Sequence, residues 1–108
     1  MFDDRAVYAG ILEAVERGEA MAMATVVRVK GSTPRDVGSK MLIGADGAQL
    51  GTIGGGCGEA EVLHAAREVL KSGLPRLVRV DLTDDYMSWS PAVCGGVMEI
   101  FVERLSAP

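Results

Sequence analysis

The chain has 108 residues, of which 14 are glycine, about twice what average usage gives. Apolar residues make up 48%, charged residues 24% and aromatic residues only 5%. This excludes a charge-rich disordered chain and a collagenous repeat, and leaves one globular domain with an aliphatic and methionine core. A formal net charge of −4 argues against nucleic acid or an anionic membrane as main partner, since both require a broad basic surface.

Asp3 and Asp4 can cap a helix on which Val7, Ile11, Leu12 and Val15 recur at helical spacing, and Gly18 stops it. Met21 to Lys30, dense in valine and methionine, predicts a strand. Gly31-Ser32-Thr33-Pro34-Arg35 must leave that strand, because Pro34 lacks a donor and biases Thr33 to an extended conformation. Lys40 to Ile43 predicts a second strand and Gln49 to Ile53 a third, joined at Ala45-Asp46-Gly47 by a tight turn whose Asp-Gly pair supplies positive φ angles. After the cluster Gly54-Gly55-Gly56-Cys57-Gly58, residues Glu59 to Ser72 carry a helical pattern of Val62, Leu63, Ala66, Val69 and Leu70, with Gly73 as C-cap. Arg76 to Leu82 and Gly96 to Glu103 predict two more strands, separated by a loop over Asp84 to Pro91. The order α-β-β-β-α-β-β has one hairpin and too few crossovers for a doubly wound sheet. It predicts an α+β domain over residues 1–108, a mixed β-sheet of about five strands covered by two helices.

The charge is unevenly spread: residues 28–40 carry +3, from Arg28, Lys30, Arg35 and Lys40 against Asp36, inside an otherwise acidic chain. Such a segment reads either as a local anion site or as two strand ends that happen to be basic. The start, Met-Phe-Asp-Asp-Arg, lacks the basic and apolar regions of a secretion signal. The longest nearly apolar run, Ala20 to Val27, is far short of a membrane span. Cys57 and Cys94 are the only cysteines, so no disulfide framework is indicated, and a cytoplasmic protein with reduced thiols is expected.

Five of the glycines fall within residues 51–58, where a strand gives way to a helix. Backbone without side chains can turn there and aim its N–H groups outward, and the helix start adds roughly half a positive charge. Together these make a cradle for phosphate or carboxylate. The spacing fits neither the dinucleotide-binding fingerprint, which needs a glycine where Glu59 stands, nor a Walker loop. Glu59 and Glu61 in the first helical turn already complement the dipole, which leaves open the alternative of a turn built for close helix–strand packing. Cys57 lies at the predicted helix start, a setting that favours thiolate, and Cys94 precedes Gly95-Gly96. The two thiols read as a soft-ligand or sulfur-handling pair, with Cys57 a candidate metal ligand, or as ordinary buried cysteines.

Other candidates have simpler explanations. His64, the single histidine, neighbours Glu61 and Glu68 on a polar helix face and makes a poor catalytic base. Asp81, Asp84 and Asp85 suit capping and solvation better than a hard cation. Trp89 sits in a loop, as a lid over the core or a partner contact, and the methionines suit core filling.

In order, Gly31-Ser32-Thr33-Pro34-Arg35, Gly38-Ser39-Lys40-Met41-Leu42, Gly51-Thr52-Ile53-Gly54-Gly55-Gly56-Cys57 and Cys94-Gly95-Gly96 resemble the N-terminal domain of the XdhC/CoxI family, the xanthine dehydrogenase accessory proteins. The resemblance spans roughly residues 5 to 103. It implies a chaperone without turnover of its own, which holds the molybdenum cofactor, supports its sulfuration and hands it to a xanthine dehydrogenase-type apo-enzyme. The implied ligand is a pterin carrying a phosphate. Arg35 and Lys40 would supply positive charge, Gly54, Gly55 and Gly56 backbone donors, and Cys57 a thiol near the metal or sulfur, with Cys94 as its thiol partner. Arginine grips phosphate bidentately, whereas lysine acts as a point charge. The implied partners are the apo-enzyme and a cysteine desulfurase or sulfurtransferase. Full-length members continue into a C-terminal Rossmann-like domain, whereas this sequence stops at Pro108, which implies either a stand-alone homologue with a separate Rossmann-domain protein as partner or a trimmed chain; a homodimer is also expected. Gly58 stands where the family pattern leads one to expect a larger apolar residue, which implies a more mobile loop. Two rival functions are a docking module for a sulfurtransferase or apo-hydroxylase that binds no cofactor, and a Cys57/Cys94 thiol redox protein. The latter lacks a Cys-x-x-Cys spacing.

Overall fold

The computed structural model describes residues 5–53, 58–82 and 95–106. Its elements follow the expected order: α1 (Arg5–Arg17), β1 (Met21–Lys30), β2 (Lys40–Gly44), β3 (Gln49–Gly51), α2 (Glu59–Ser72), β4 (Arg76–Asp81) and β5 (Val97–Leu105). The strands form one sheet in the spatial order β3-β2-β1-β5-β4. Two helices, five strands and the α+β architecture agree with the sequence reading, but every pairing is antiparallel where a mixed sheet was expected. The reason lies in the one crossover. Helix α2 connects β3 to β4, which run in the same direction but occupy opposite edges, so no two parallel strands are neighbours.

The helices cover opposite faces. On one face α2 buries Val62, Ala65, Ala66 and Val69 against Ala22, Ala24 and Val26 of β1, Met98, Ile100 and Val102 of β5, and Val80 of β4. On the other, α1 buries Val7 against Met21 and Leu42, with Ile11, Ala14, Met23 and Leu105 around them. Helix α1 packs against β2 and β3, so among the described residues no helix covers this second face over β5 and β4. The alternation of strand side chains sorts residues cleanly between the two faces. One irregularity matters: the β1–β5 register slips between Val26 and Arg28, making Val27 the extra residue of a bulge. After it, Val29 faces the α2 core, while Arg28 and Lys30 face the open side opposite Glu99 and Val97.

Boundaries moved where side chains claimed the backbone. The third strand ends at Gly51, not Ile53, because the Thr52 carbonyl accepts from Arg35 and Ile53 is fully buried in the core. The fourth strand ends at Asp81, one residue before Leu82, and the fifth runs from Val97 on to Leu105. The β2–β3 connection closes with Gly47 N–H donating to the Gly44 carbonyl (3.0 Å) and Ala48 N–H to Asp46 Oδ1 (3.0 Å). Only Gly47 has a positive φ (88°), so the turn is longer than the expected two-residue Asp-Gly type. Gly18 and Gly73 end their helices as expected. The expected capping residues Asp3 and Asp4 lie outside the described residues, as does the 84–91 loop with Asp84, Asp85, Met87 and Trp89. Met21, Met41 and Met98 are core residues.

Ile100 sits on the β1–β5 pair with no solvent exposure. Ile100→Ala should cost about 2–5 kcal/mol, read as a lower urea midpoint at unchanged m-value.

Candidate functional site

Antiparallel pairing brings the sequence motifs to one place. Lys40 starts β2 beside Thr25, Gly51 ends β3 beside Met41, and Val97 starts β5 between Lys30 and Asp81, which end β1 and β4. The three segments that follow β1, β3 and β4 therefore begin at the same end of the sheet, and their described residues are 31–39, 52–53 with 58, and 82 with 95–96. Helix α2 also begins there, since a Cβ on Gly58 would collide with Val80 of β4.

The first segment folds back on the bulge: Val26 N–H donates to the Ser39 carbonyl (2.9 Å) and Gly38 N–H to the Val26 carbonyl (2.7 Å). Within it, Thr33 Oγ1 donates to the Arg35 carbonyl (3.1 Å). The third segment is tied at both sides. Leu82 N–H donates to the Gly96 carbonyl (2.9 Å). Gly96 lies so close to the end of β1 that a Cβ would come within 2.5 Å of the Lys30 carbonyl oxygen and 2.6 Å of that of Ser32. Thus Gly31-Ser32-Thr33 and Gly95-Gly96, 64 residues apart from Ser32 to Gly96, are backbone neighbours.

The second segment is clasped. Arg35, only 8% exposed, turns its guanidinium inward and donates to the Thr52 carbonyl. The Thr52 hydroxyl donates to Glu59 Oε1 (2.6 Å), so residues on either side of Gly54–Cys57 are joined. Glu59 lies in the first turn of α2, where its charge suits the helix dipole. Gly58, at φ 73° with no room for a side chain against Val80, is required by left-handed backbone and close packing. It is therefore a packed position, where the larger apolar residue expected of the family pattern would not fit this backbone.

Of the expected site residues, Arg35 and Lys40 are at this end. Arg35 is a buried tie between two segments, whereas Lys40 is half-buried with Nζ donating to the Gly38 carbonyl (3.0 Å). Gly54, Gly55, Gly56, Cys57 and Cys94 lie outside the described residues. His64 is a surface residue, its Nε2 2.9 Å from Glu68 Oε1, in keeping with the polar-face reading. Sequence reasoning missed the Thr52–Glu59 clasp and the cation Arg79 at this end of the open face, whereas Arg28 and Lys30 belong to the basic 28–40 segment it singled out. The bulge that aims Arg28 there has no signature in a run of valines. No described helix is long and apolar enough to cross a membrane.

Comparison with known proteins adds a family. The profile of the XdhC and CoxI family matches residues 14–81. The chain is 37% identical over 87 residues to Escherichia coli YqeB, an uncharacterised protein, covering 81% of this chain and 16% of YqeB. It is 30% identical over 105 residues to Escherichia coli PaoD, named a molybdenum cofactor insertion chaperone, covering 95% of this chain and 32% of PaoD. A Bacillus subtilis protein, named as a probable component of xanthine dehydrogenase, is 31% identical over 94 residues, covering 85% of this chain and 28% of that one. A crystal structure from Bacillus halodurans, described as a xanthine dehydrogenase, superposes with a TM-score of 0.71 at 34% identity, covering 87% of this chain and 30% of that one. The chain thus spans a third or less of the length of these relatives.

Removing the buried guanidinium leaves the Thr52 carbonyl without its donor, so Arg35→Ala should lower stability by about 1–3 kcal/mol in urea titrations without any anion present. Gly96→Ala forces a methyl group against two backbone carbonyls and should cost about 2–4 kcal/mol in the same assay.

Proposed function

The chain belongs to the XdhC/CoxI family, and from that premise we propose that it serves the maturation of xanthine dehydrogenase-type enzymes by holding the molybdenum cofactor at the motif-bearing end of the sheet. The observation that carries this reading is the convergence there of residues 31–39 with the described ends of the other two motif segments, Thr52-Ile53 and Gly58, and Leu82 and Gly95-Gly96, held by hydrogen bonds and by a backbone approach that only glycine permits. The name of PaoD supports the cofactor as cargo, and those of the Bacillus proteins support the class of client.

The cargo is a pterin with a phosphate, and this end of the sheet supplies matching chemistry. Lys40 contributes positive charge, and the start of α2 contributes its dipole. Gly54, Gly55 and Gly56 are assigned backbone donors, Cys57 the thiol next to metal or sulfur, and Cys94 the neighbouring thiol. Arg35 acts through the segment it ties, holding Thr52 and so the approach to Gly54, in place of gripping phosphate itself. A cysteine desulfurase or sulfurtransferase delivers the sulfur, and the apo-enzyme receives the loaded cofactor.

One observation favours a second reading. The inward guanidinium of Arg35 and the acidic first turn of α2 leave less free positive charge than a phosphate cradle would use, which suits a docking module for the sulfurtransferase or apo-enzyme.

Anaerobic mixing with molybdenum cofactor, followed by gel filtration and metal and pterin analysis, separates the two readings. The cofactor should travel with the protein, and Cys57→Ser should reduce loading or activation of the apo-enzyme several-fold at unchanged fold. Cofactor that elutes free, with activation retained, would leave the docking module.

A further inference from the structure

The open face of the sheet carries a basin of about 550 Å³ at the same end as the motif segments, within the size range of small-molecule sites. Its floor is two cross-strand rows set by the bulge: Arg28, Glu99 and Arg79, then Lys30, Val97 and Asp81. Its end wall is the backbone of Gly31, Gly95 and Gly96. We propose that this basin binds the phosphate or diphosphate group of a small-molecule ligand, with Arg28, Lys30 and Arg79 as its cations.

The arrangement of charge carries the proposal. The carboxylates lie low, with side chains 29% (Glu99) and 23% (Asp81) exposed, whereas the arginine side chains stand at the rim, 77% (Arg28) and 62% (Arg79) exposed. A ligand arriving from solvent meets the guanidinium groups first. Arg28 Nη1 is 3.9 Å from Glu99 Oε2, beyond hydrogen-bond distance, and Arg79 Nη1 donates a single hydrogen bond to Asp81 Oδ2 at 3.3 Å. Each guanidinium has five donors, so most remain for a bidentate anion. Lys30 is exposed and forms no ion pair among the described residues. Among its described lining residues the basin therefore holds one more cation than anion, on a chain whose net charge is −4. Phosphate esters match this pattern better than carboxylates do, because three or more oxygens can engage cations on both sides of β5.

The site stands by itself as a phosphate site. That the phosphate belongs to the cargo pterin rests on the function proposed above, and it would give that cargo the arginine grip that Arg35 does not provide.

The test follows backbone amides by NMR while inorganic pyrophosphate is added to the intact chain. Shifts at Gly31, Gly95 and Gly96 that saturate at millimolar concentrations and weaken with salt are expected. Arg28→Gln with Arg79→Gln should weaken binding by about tenfold or more, whereas Glu99→Gln should tighten it. Should the double variant lose its circular dichroism signature, Lys30→Gln alone carries the comparison. Absence of those shifts, or affinity unchanged in the cation variants, overturns the proposal. Pyrophosphate binding that molybdenum cofactor fails to displace keeps the site and removes the cargo assignment. Cofactor binding without pyrophosphate shifts removes the site and keeps the cargo reading.

Discussion

The pairing of β1 with β5 holds the molecule together, and the single bulge within it decides what each face of the sheet presents. The pair runs from Met21↔Leu105 to Lys30↔Val97 through the middle of the sheet. Before the bulge, strict alternation buries Ala22, Ala24 and Val26 beneath α2. Without Val27 as an extra residue, Val29 would point away from the α2 core and Arg28 into it, at the cost of burying a guanidinium. With it, Val29 rejoins the core and Arg28 and Lys30 line the basin on the open face. The same stretch receives the returning segment 31–39 through Val26, so one local irregularity positions two features of the functional end.

That end is asymmetric with respect to the rest of the domain. The opposite end of the sheet carries the α1–β1 and β2–β3 turns, held by short local hydrogen bonds, and the α2–β4 turn, beside which Arg104 Nη1 donates to the Leu70 carbonyl (3.4 Å). The motif-bearing end is held by contacts between residues far apart in the chain: Arg35 to Thr52, Gly31 to Gly96, Gly58 to Val80. Distant contacts of this kind fix loops on a rigid scaffold, and functional residues concentrate on such loops. Membership of the XdhC/CoxI family gives the arrangement a purpose, and the charge distribution refines where positive charge is available. It lies at Arg28, Lys30, Lys40 and Arg79, with Arg35 turned inward.

Much of this was legible in the sequence because its signals were local. Helical spacing in Val62, Ala66 and Val69 and the Gly73 stop gave α2 its observed limits, and valine density gave β1 its ten residues. The family motifs were legible as words, since Gly-Ser-Thr-Pro-Arg and Gly-Thr-Ile-Gly-Gly-Gly-Cys need no structure to be recognised. What stayed hidden depended on pairing. A mixed sheet was expected because strand direction is set by which strands become neighbours, and the path of α2 from one edge to the other is not encoded in either strand alone. Arg35, assigned to a phosphate by the family resemblance, is 8% exposed and donates to the Thr52 carbonyl 17 residues away, a contact its local sequence does not announce. The close approach of Gly58 to Val80 was likewise hidden, because Val80 belongs to another element.

The central claim is that one end of the sheet, and no other part of the surface, receives the cofactor. Anaerobic titration of isotopically labelled protein with molybdenum cofactor, followed at every backbone amide, tests it most directly. The account predicts shifts confined to residues 31–39, 52–58 and 82–96 and to the rim of the open-face basin. Shifts centred on α1, on the β2–β3 turn or on the exposed side of α2 would contradict it.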